Sequence, residues 1–424
     1  MRTIAGLACA VFVHGATFPV RLDRPAEVVA ELRMRSPGSD FARPGREAAV
    51  AAISVGGKPV HHLTLFAGED AYVYRVFLGE LGAGEHTVRI ERDPRWSAPG
   101  SGLEVESVAF RPLRPEDAEH RVVAYAPVLY ARPDTPGRFS DVPLLVYCER
   151  LEEAGREVLE YTAVFSNEDG GTPAPALMAR WGRTTDIEWV YRVYLGRGGK
   201  PERAVIQSKG HKEEEFSGVR EGGHPVLYVI TDNNMVGGSG KATLRYQLAP
   251  SLVELRDGSR ERVMDAEPVL YRVAARELER EGKLRPFGVT GGERVGDPRS
   301  YLYVEIKLAA EDAALAARVR LKSESRWRAS HLGRADYAIA RNGWVRTAVE
   351  LPPRTEPGHI AELAFECLLA PRRVDGKETW PEHGWCRIEK LGRIFLLDSN
   401  YRPRMITKEL SAELAGGEMV SVGW

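Results

Sequence analysis

Across 424 residues the chain has only four cysteines, no excess of either charge, and no apolar run of the roughly 18 residues that a membrane-spanning helix needs. Each shortage excludes something. Cys9, Cys148, Cys367 and Cys386 form no C-x-x-C pair, which removes zinc-finger spacing. Cys367 and Cys386 lie in neighbouring segments, so a bridge in an exported protein and two buried thiols both stay open. Lys plus Arg (59) nearly cancel Asp plus Glu (60), leaving no field to draw phosphate backbones, and nucleic acid is not an expected partner. There is no Gly-x-Ser-x-Gly elbow and no dinucleotide fingerprint. The stretch Gly237-Gly-Ser-Gly-Lys-Ala lacks the spacing and the hydroxyl of a phosphate loop.

What is present is a soluble-globular balance of 43% hydrophobic and 28% charged residues, in a chain long enough for several cores. Short apolar alternations punctuated by Gly and Pro run through most of it, the pattern of antiparallel strands. The fold expected is mainly β: tandem antiparallel, jelly-roll-like β-sandwich units with few helices. Residues 1–16 read as an export signal or a first strand, because one basic residue precedes an apolar run, although His14 spoils a cleavage site. Residues 17–112 read as one sandwich, 113–290 as a β-rich central domain with a helix after Pro268, and 291–424 as a second sandwich whose tail is mobile or docked at an edge. Pro-Val-Leu-Tyr occurs three times, ending at Tyr130, Tyr228 and Tyr271, too little to define a repeat.

Residues 181–235 crowd acids, histidines, carboxamides and glycines between strand-like runs. In the strand from Asp186 to Leu195, odd positions are apolar, so strict alternation places Asp186 and Glu188 together on the other face with Arg192. A Gly-rich turn after Leu195 would bring His211 back towards the acids, and His224 would enter from a third strand. Asp186, Glu188, His211 and His224 are the candidate catalytic set, since paired carboxylates and imidazoles serve general acid and base chemistry. Arg183, Arg192 and Trp181 are the candidate ligand-binding residues; the bland alternative is that the arginines only pair with the acids on a wet sheet face. Trp181, Trp327, Trp380 and Trp385 read either as sugar platforms or as partly buried core. Loops 166–172 and 231–238 concentrate oxygen donors and glycines, which suggests calcium on Asp169, Asp232, Asn233 and Asn234, or simply turn chemistry.

Tyr125-Ala-Pro-Val-Leu-Tyr130, Thr185-Asp-Ile-Glu-Trp-Val, Gln207-Ser-Lys-Gly-His211 and His224-Pro-Val-Leu-Tyr-Val occur in an order and spacing that resemble the VPS62-related family, over about a quarter of the chain. The resemblance implies a β-rich fold and groups Asp186, Glu188, His211 and His224; it implies no substrate. A later histidine expected from the resemblance is replaced by Asp232-Asn233-Asn234. The functional expectation is a secreted or periplasmic glycan-interacting protein with a polar site in its central domain. A glycan-directed hydrolase and a non-catalytic scaffold are the alternatives.

Overall fold

The sequence's alternating runs become strands throughout the computed structural model, which describes residues 15–132, 139–168, 170–289, 291–374 and 377–424. Residues 1–14 of the expected signal or first strand, and the calcium candidate Asp169, lie outside the described residues. The chain is mainly antiparallel β with four short α-helices among the described residues. It divides into two compact units: Met1–Gly171 with Thr185–Glu254, and Thr172–Thr184 with Leu255–Trp424. These limits differ from the boundaries at 112 and 290 read from the sequence.

The first unit begins with β1 (Gly15–Leu22), β2 (Ala26–Arg35), β3 (Val50–Val55), β4 (Lys58–Thr64), β5 (Tyr72–Leu81), β6 (Gly84–Arg92) and β7 (Glu104–Leu113). They form two sheets, ordered β1-β6-β3-β4 and β5-β2-β7. Val28, Val29 and Ala30 are consecutive and fully buried, so β2 is covered on both faces and cannot alternate. The helix α1 (His120–Ala124) packs on β2 and β5, and buries Val122 and Val123.

The unit continues with β8 (Val128–Tyr130), β9 (Pro143–Glu153), β10 (Arg156–Phe165), β11 (Asp186–Leu195), β12 (Pro201–Ser208), β13 (Lys212–Glu215), β14 (Arg220–Glu221), β15 (His224–Val229), β16 (Val236–Gly237), β17 (Arg245–Tyr246) and β18 (Ser251–Val253). One sheet has the order β13-β12-β11-β10-β9-β18; a second runs β14-β15-β8-β17, with β16 on β15. Two of the three Pro-Val-Leu-Tyr segments meet here: β8 and β15 pair in parallel with Val128 on Val226, Leu129 on Leu227 and Tyr130 on Tyr228. Their tyrosine rings stack at 4.7 Å.

The second unit holds α2 (Ala174–Trp181), α3 (Arg262–Ala266), α4 (Val269–Arg280), β19 (Tyr301–Glu311), β20 (Ala313–Leu321), β21 (Trp327–Ala329), β22 (Gly343–Glu350), β23 (Ile360–Leu369), β24 (Arg372–Val374), β25 (Lys377–Thr379), β26 (Trp385–Leu397), β27 (Pro403–Ile406), β28 (Ala412–Ala415) and β29 (Met419–Gly423). Sheets β22-β19-β26-β27, with β28 on β26, and β21-β20-β23-β29 enclose a core of Leu302, Val304, Ile306, Leu315, Val319 and Phe365. A Cys367–Cys386 disulfide crosses this core from β23 to β26. The last residues are not a loose tail: β28 pairs with β26 and β29 with β23. The third Pro-Val-Leu-Tyr opens α4, so the same tetrapeptide is strand twice and helix once, decided by what it packs against.

Candidate functional site

Strict alternation along β11 fails at one residue. Tyr161 pairs with Tyr191 but Thr162 with Trp189, which leaves Val190 as the extra residue of a β-bulge. The bulge resets the faces: Asp186 opposite Phe165, Glu188 opposite Ala163 and Tyr191 opposite Tyr161 share one side, while Trp189 and Arg192 take the other. Arg192 is therefore not beside the acids. It pairs with Glu160 and, at 3.3 Å, with Glu213, and its guanidinium lies 4.2 Å over the Trp189 ring.

Glu188 meets His211 through a residue the sequence reading quoted but did not nominate. Gln207 Nε2 donates to Glu188 Oε2 at 2.8 Å and to His211 Nδ1 at 2.7 Å. His211 Nδ1 itself lies 3.9 Å from Glu188 Oε2. The geometry comes from the turn Lys209-Gly210-His211 between β12 and β13, where Gly210 and His211 both have positive φ (73° and 58°) and the chain doubles back over Gln207. With Nδ1 accepting, the neutral ring carries its proton on Nε2. The His211 side chain is 57% exposed, Glu188 14%, so the cluster opens to water on the imidazole side.

Asp186 takes a different partner. Asn234 Nδ2 donates to Asp186 Oδ2 at 3.0 Å, and both residues are buried. Asn234 sits at a positive φ of 57° that asparagine tolerates. The next residue, Met235, places its sulfur 3.4 Å from Gln207 Nε2, which links the two acid clusters into one polar surface. Gln207 Oε1 and Asn234 Oδ1 are buried acceptors with no hydrogen-bond partner among the described residues.

The two loops proposed for calcium do come together, for a different reason. Gly170 N donates to Asp232 O at 3.1 Å, and a Cβ at Gly170 would lie 2.6 Å from the Asp232 Cβ, so the contact requires glycine. Asp232 pairs with Arg132, which also holds the buried Asp141 at 3.1 Å. Asn233 accepts from Thr231 Oγ1 at 2.8 Å. Among the described residues no group of three or more His, Cys, Asp or Glu side chains is placed to hold a metal ion.

The remaining candidates lie elsewhere. His224 is buried at the sandwich, with Nδ1 2.9 Å from Ala126 O, Nε2 3.4 Å from Glu27 Oε2, and its ring stacked on Phe77 at 4.4 Å. It pins β15 to β2 and β5; no adjacent-sequence pattern could reveal that, since Glu27 and Phe77 lie far back along the chain. Arg183 and Trp181 fold into the second unit: Arg183 pairs with Glu261 at 3.2 Å, and Arg341 lies 4.5 Å over the Trp181 ring. Trp327 and Trp385 are covered by Arg320 and Arg387, whereas Trp380 is 59% exposed.

No family profile matches the chain, and no curated protein does. Among solved structures it is similar to the CBM36-1 domain of a multidomain xylanase from the hindgut metagenome of Trinervitermes trinervoides, at 10% identity over 26% of this chain and 90% of that one, TM-score 0.20. It is also similar to NLPPya in complex with mannosamine (13% identity, 38% of this chain, 80% of that chain, TM-score 0.24). A third is a ruminal GH26 endo-beta-1,4-mannanase (12% identity, 30% and 23%, TM-score 0.19). Likenesses of this strength carry no argument about this chain.

Proposed function

We propose that this is an extracytoplasmic glycan-interacting β-sandwich protein whose central polar surface binds sugar hydroxyls. The convergence of Glu188, Gln207 and His211 carries the reading: a carboxylate, a carboxamide and an imidazole offer planar donors and acceptors at a solvent-open edge, and Gln207 Oε1 is a buried acceptor left for a donor. The disulfide between Cys367 and Cys386 supports the location, because such bonds persist in oxidising compartments. The likeness to the VPS62-related family belongs to this proposal, with Asp186, Glu188 and His211 retained from its cluster and His224 removed.

Thermal shift of the full chain against neutral oligosaccharides tests it. A binding sugar raises the midpoint, and Glu188→Gln or Gln207→Leu weakens that sugar by about tenfold or more, the value of a charge-assisted hydrogen bond. Binding that survives both substitutions, or no shift with any glycan, sinks the proposal. The Glu188–His211 approach favours hydrolysis as a second reading, in which Glu188→Gln abolishes turnover while binding persists.

A further inference from the structure

The strand β26 is bulged twice, because Val304 pairs with Ile394 but Ile306 with Leu391, and Lys307 with Lys390 but Leu308 with Ile388. On its other edge β28 pairs with residues 385–388 and β27 with 394–397, so Glu389–Arg393 has no ladder partner there among the described residues. A cleft of about 1010 Å³ opens between this unpaired segment and residues 405–411. That volume is in the range of small-molecule sites.

A buried ion network forms its floor. Arg346, fully buried, grips Asp265 through both Nη atoms at 2.9 and 2.8 Å, and Tyr271 donates to the same carboxylate at 2.7 Å. Glu305 accepts from Ser259, from Arg262 at 2.6 Å and from the Arg393 backbone at 3.1 Å. Arg393 Nη1 reaches Asp265 Oδ2 at 2.9 Å. Asp265 and Glu305 thus face Arg262, Arg346 and Arg393, and the cleft lining adds Lys390 and Lys408 with Glu389 and Glu409. Arg393 is fixed through both its backbone and its side chain, is 38% exposed, and lines the cleft. At the rim Glu389 is engaged by Lys307 at 3.0 Å; Leu391 and Ile394 turn their side chains into the sandwich core, and the exposed apolar side chain of the lining is Met405.

We propose that this cleft binds a carboxylate-bearing sugar, with Arg393 as the anchor. A preorganised guanidinium suits a carboxylate's two oxygens. In the lining, Lys390, Arg393 and Lys408 balance Asp265, Glu389 and Glu409, so no strong positive field favours a phosphate dianion over a monoanion. On the edge of Glu389–Gly392 away from β19, backbone groups are left for hydroxyls, and the exposed Met405 offers an apolar contact to a ring's C–H face. This site lies in the second unit and stands independently of the one around Glu188.

Isothermal titration of the full chain with D-glucuronate, D-glucose and inorganic phosphate tests it. Glucuronate binds and glucose binds at least tenfold more weakly, as does phosphate. Arg393→Gln weakens glucuronate at least tenfold. Met405→Asp lies outside the ion network and weakens it several-fold by repulsion, which keeps the test decisive if Arg393→Gln fails to fold. No binding at millimolar glucuronate, phosphate binding more tightly than glucuronate, or affinity insensitive to Met405→Asp overturns the proposal.

Discussion

Arg346 offers a sharp quantitative test of how the second unit is held together. Its side chain has no solvent exposure, bonds Asp265 in bidentate fashion, accepts nothing in return, and lies over the Phe395 ring at 5.2 Å. Burial alone would raise the Asp265 carboxyl, but the Arg346 charge and the bonds from Arg346, Tyr271 and Arg393 outweigh it and hold it below the ordinary carboxylate range. Replacing Arg346 by Met roughly keeps the volume but removes the bidentate partner of the buried Asp265, leaving it Tyr271 and the half-exposed Arg393, which costs about 3–5 kcal/mol. With a urea dependence of about 2 kcal/mol per molar, the midpoint falls by about 1.5–2.5 M. Hydrogen-exchange mass spectrometry on β19 and β26 in a urea series reads the second unit directly. Arg346→Met with Asp265→Leu recovers much of the loss, because it removes the stranded charge and leaves Arg393 able to reach water. The sign with pH follows: a carboxyl whose folded pKa is depressed contributes above its unfolded value, about 3.9, and loses that contribution as pH falls through the folded value, so the gap between wild type and Arg346→Met narrows in acid. A midpoint change equivalent to less than about 1 kcal/mol, or a double variant as unstable as the two single losses added, refutes the reasoning.

Two further outcomes follow from the fold. Burial, reinforced by the charges of Arg245 and His62, holds the His61 imidazole well below its usual value, and neither ring nitrogen has a hydrogen-bond partner among the described residues. The unfolded chain therefore binds a proton first: stability of the first unit falls as pH drops below about 6.5, by up to about 1.4 kcal/mol per pH unit, and His61→Leu removes that slope in pulse proteolysis. An unchanged slope in His61→Leu contradicts it. Thiol labelling of the denatured chain with peptide mapping should find Cys148 reactive before reduction and Cys367 and Cys386 reactive only after it; labelling of Cys367 and Cys386 before reduction would argue against an oxidised protein.

Much of the architecture was legible as periodicity. The β-rich class follows from alternating apolar runs, and the helix after Pro268 follows from its Ala, Glu and Arg content; it spans Val269–Arg280. The stretch that holds Asp186, Glu188, Gln207, His211 and Asn234 was legible as a concentration of polar residues. Their partnerships were not. Alternation assigned Arg192 to the acids, and a single bulged residue, Val190, moved it to the opposite face. His224 looked like a site residue because a third strand would carry it towards the acids, yet Glu27 and Phe77 claim it.

By itself the sequence determined which segments extend, which coil and where polar groups gather, because those depend on backbone geometry and neighbours a few residues away. Tertiary structure alone decided that Cys367 joins Cys386, that one Pro-Val-Leu-Tyr becomes helix while two pair as strands, and that Arg393 stands at a cleft above a buried ion network. Those outcomes depend on register and on contacts between distant segments, where one inserted residue reverses a face and burial turns an ordinary charge into a fixed anchor.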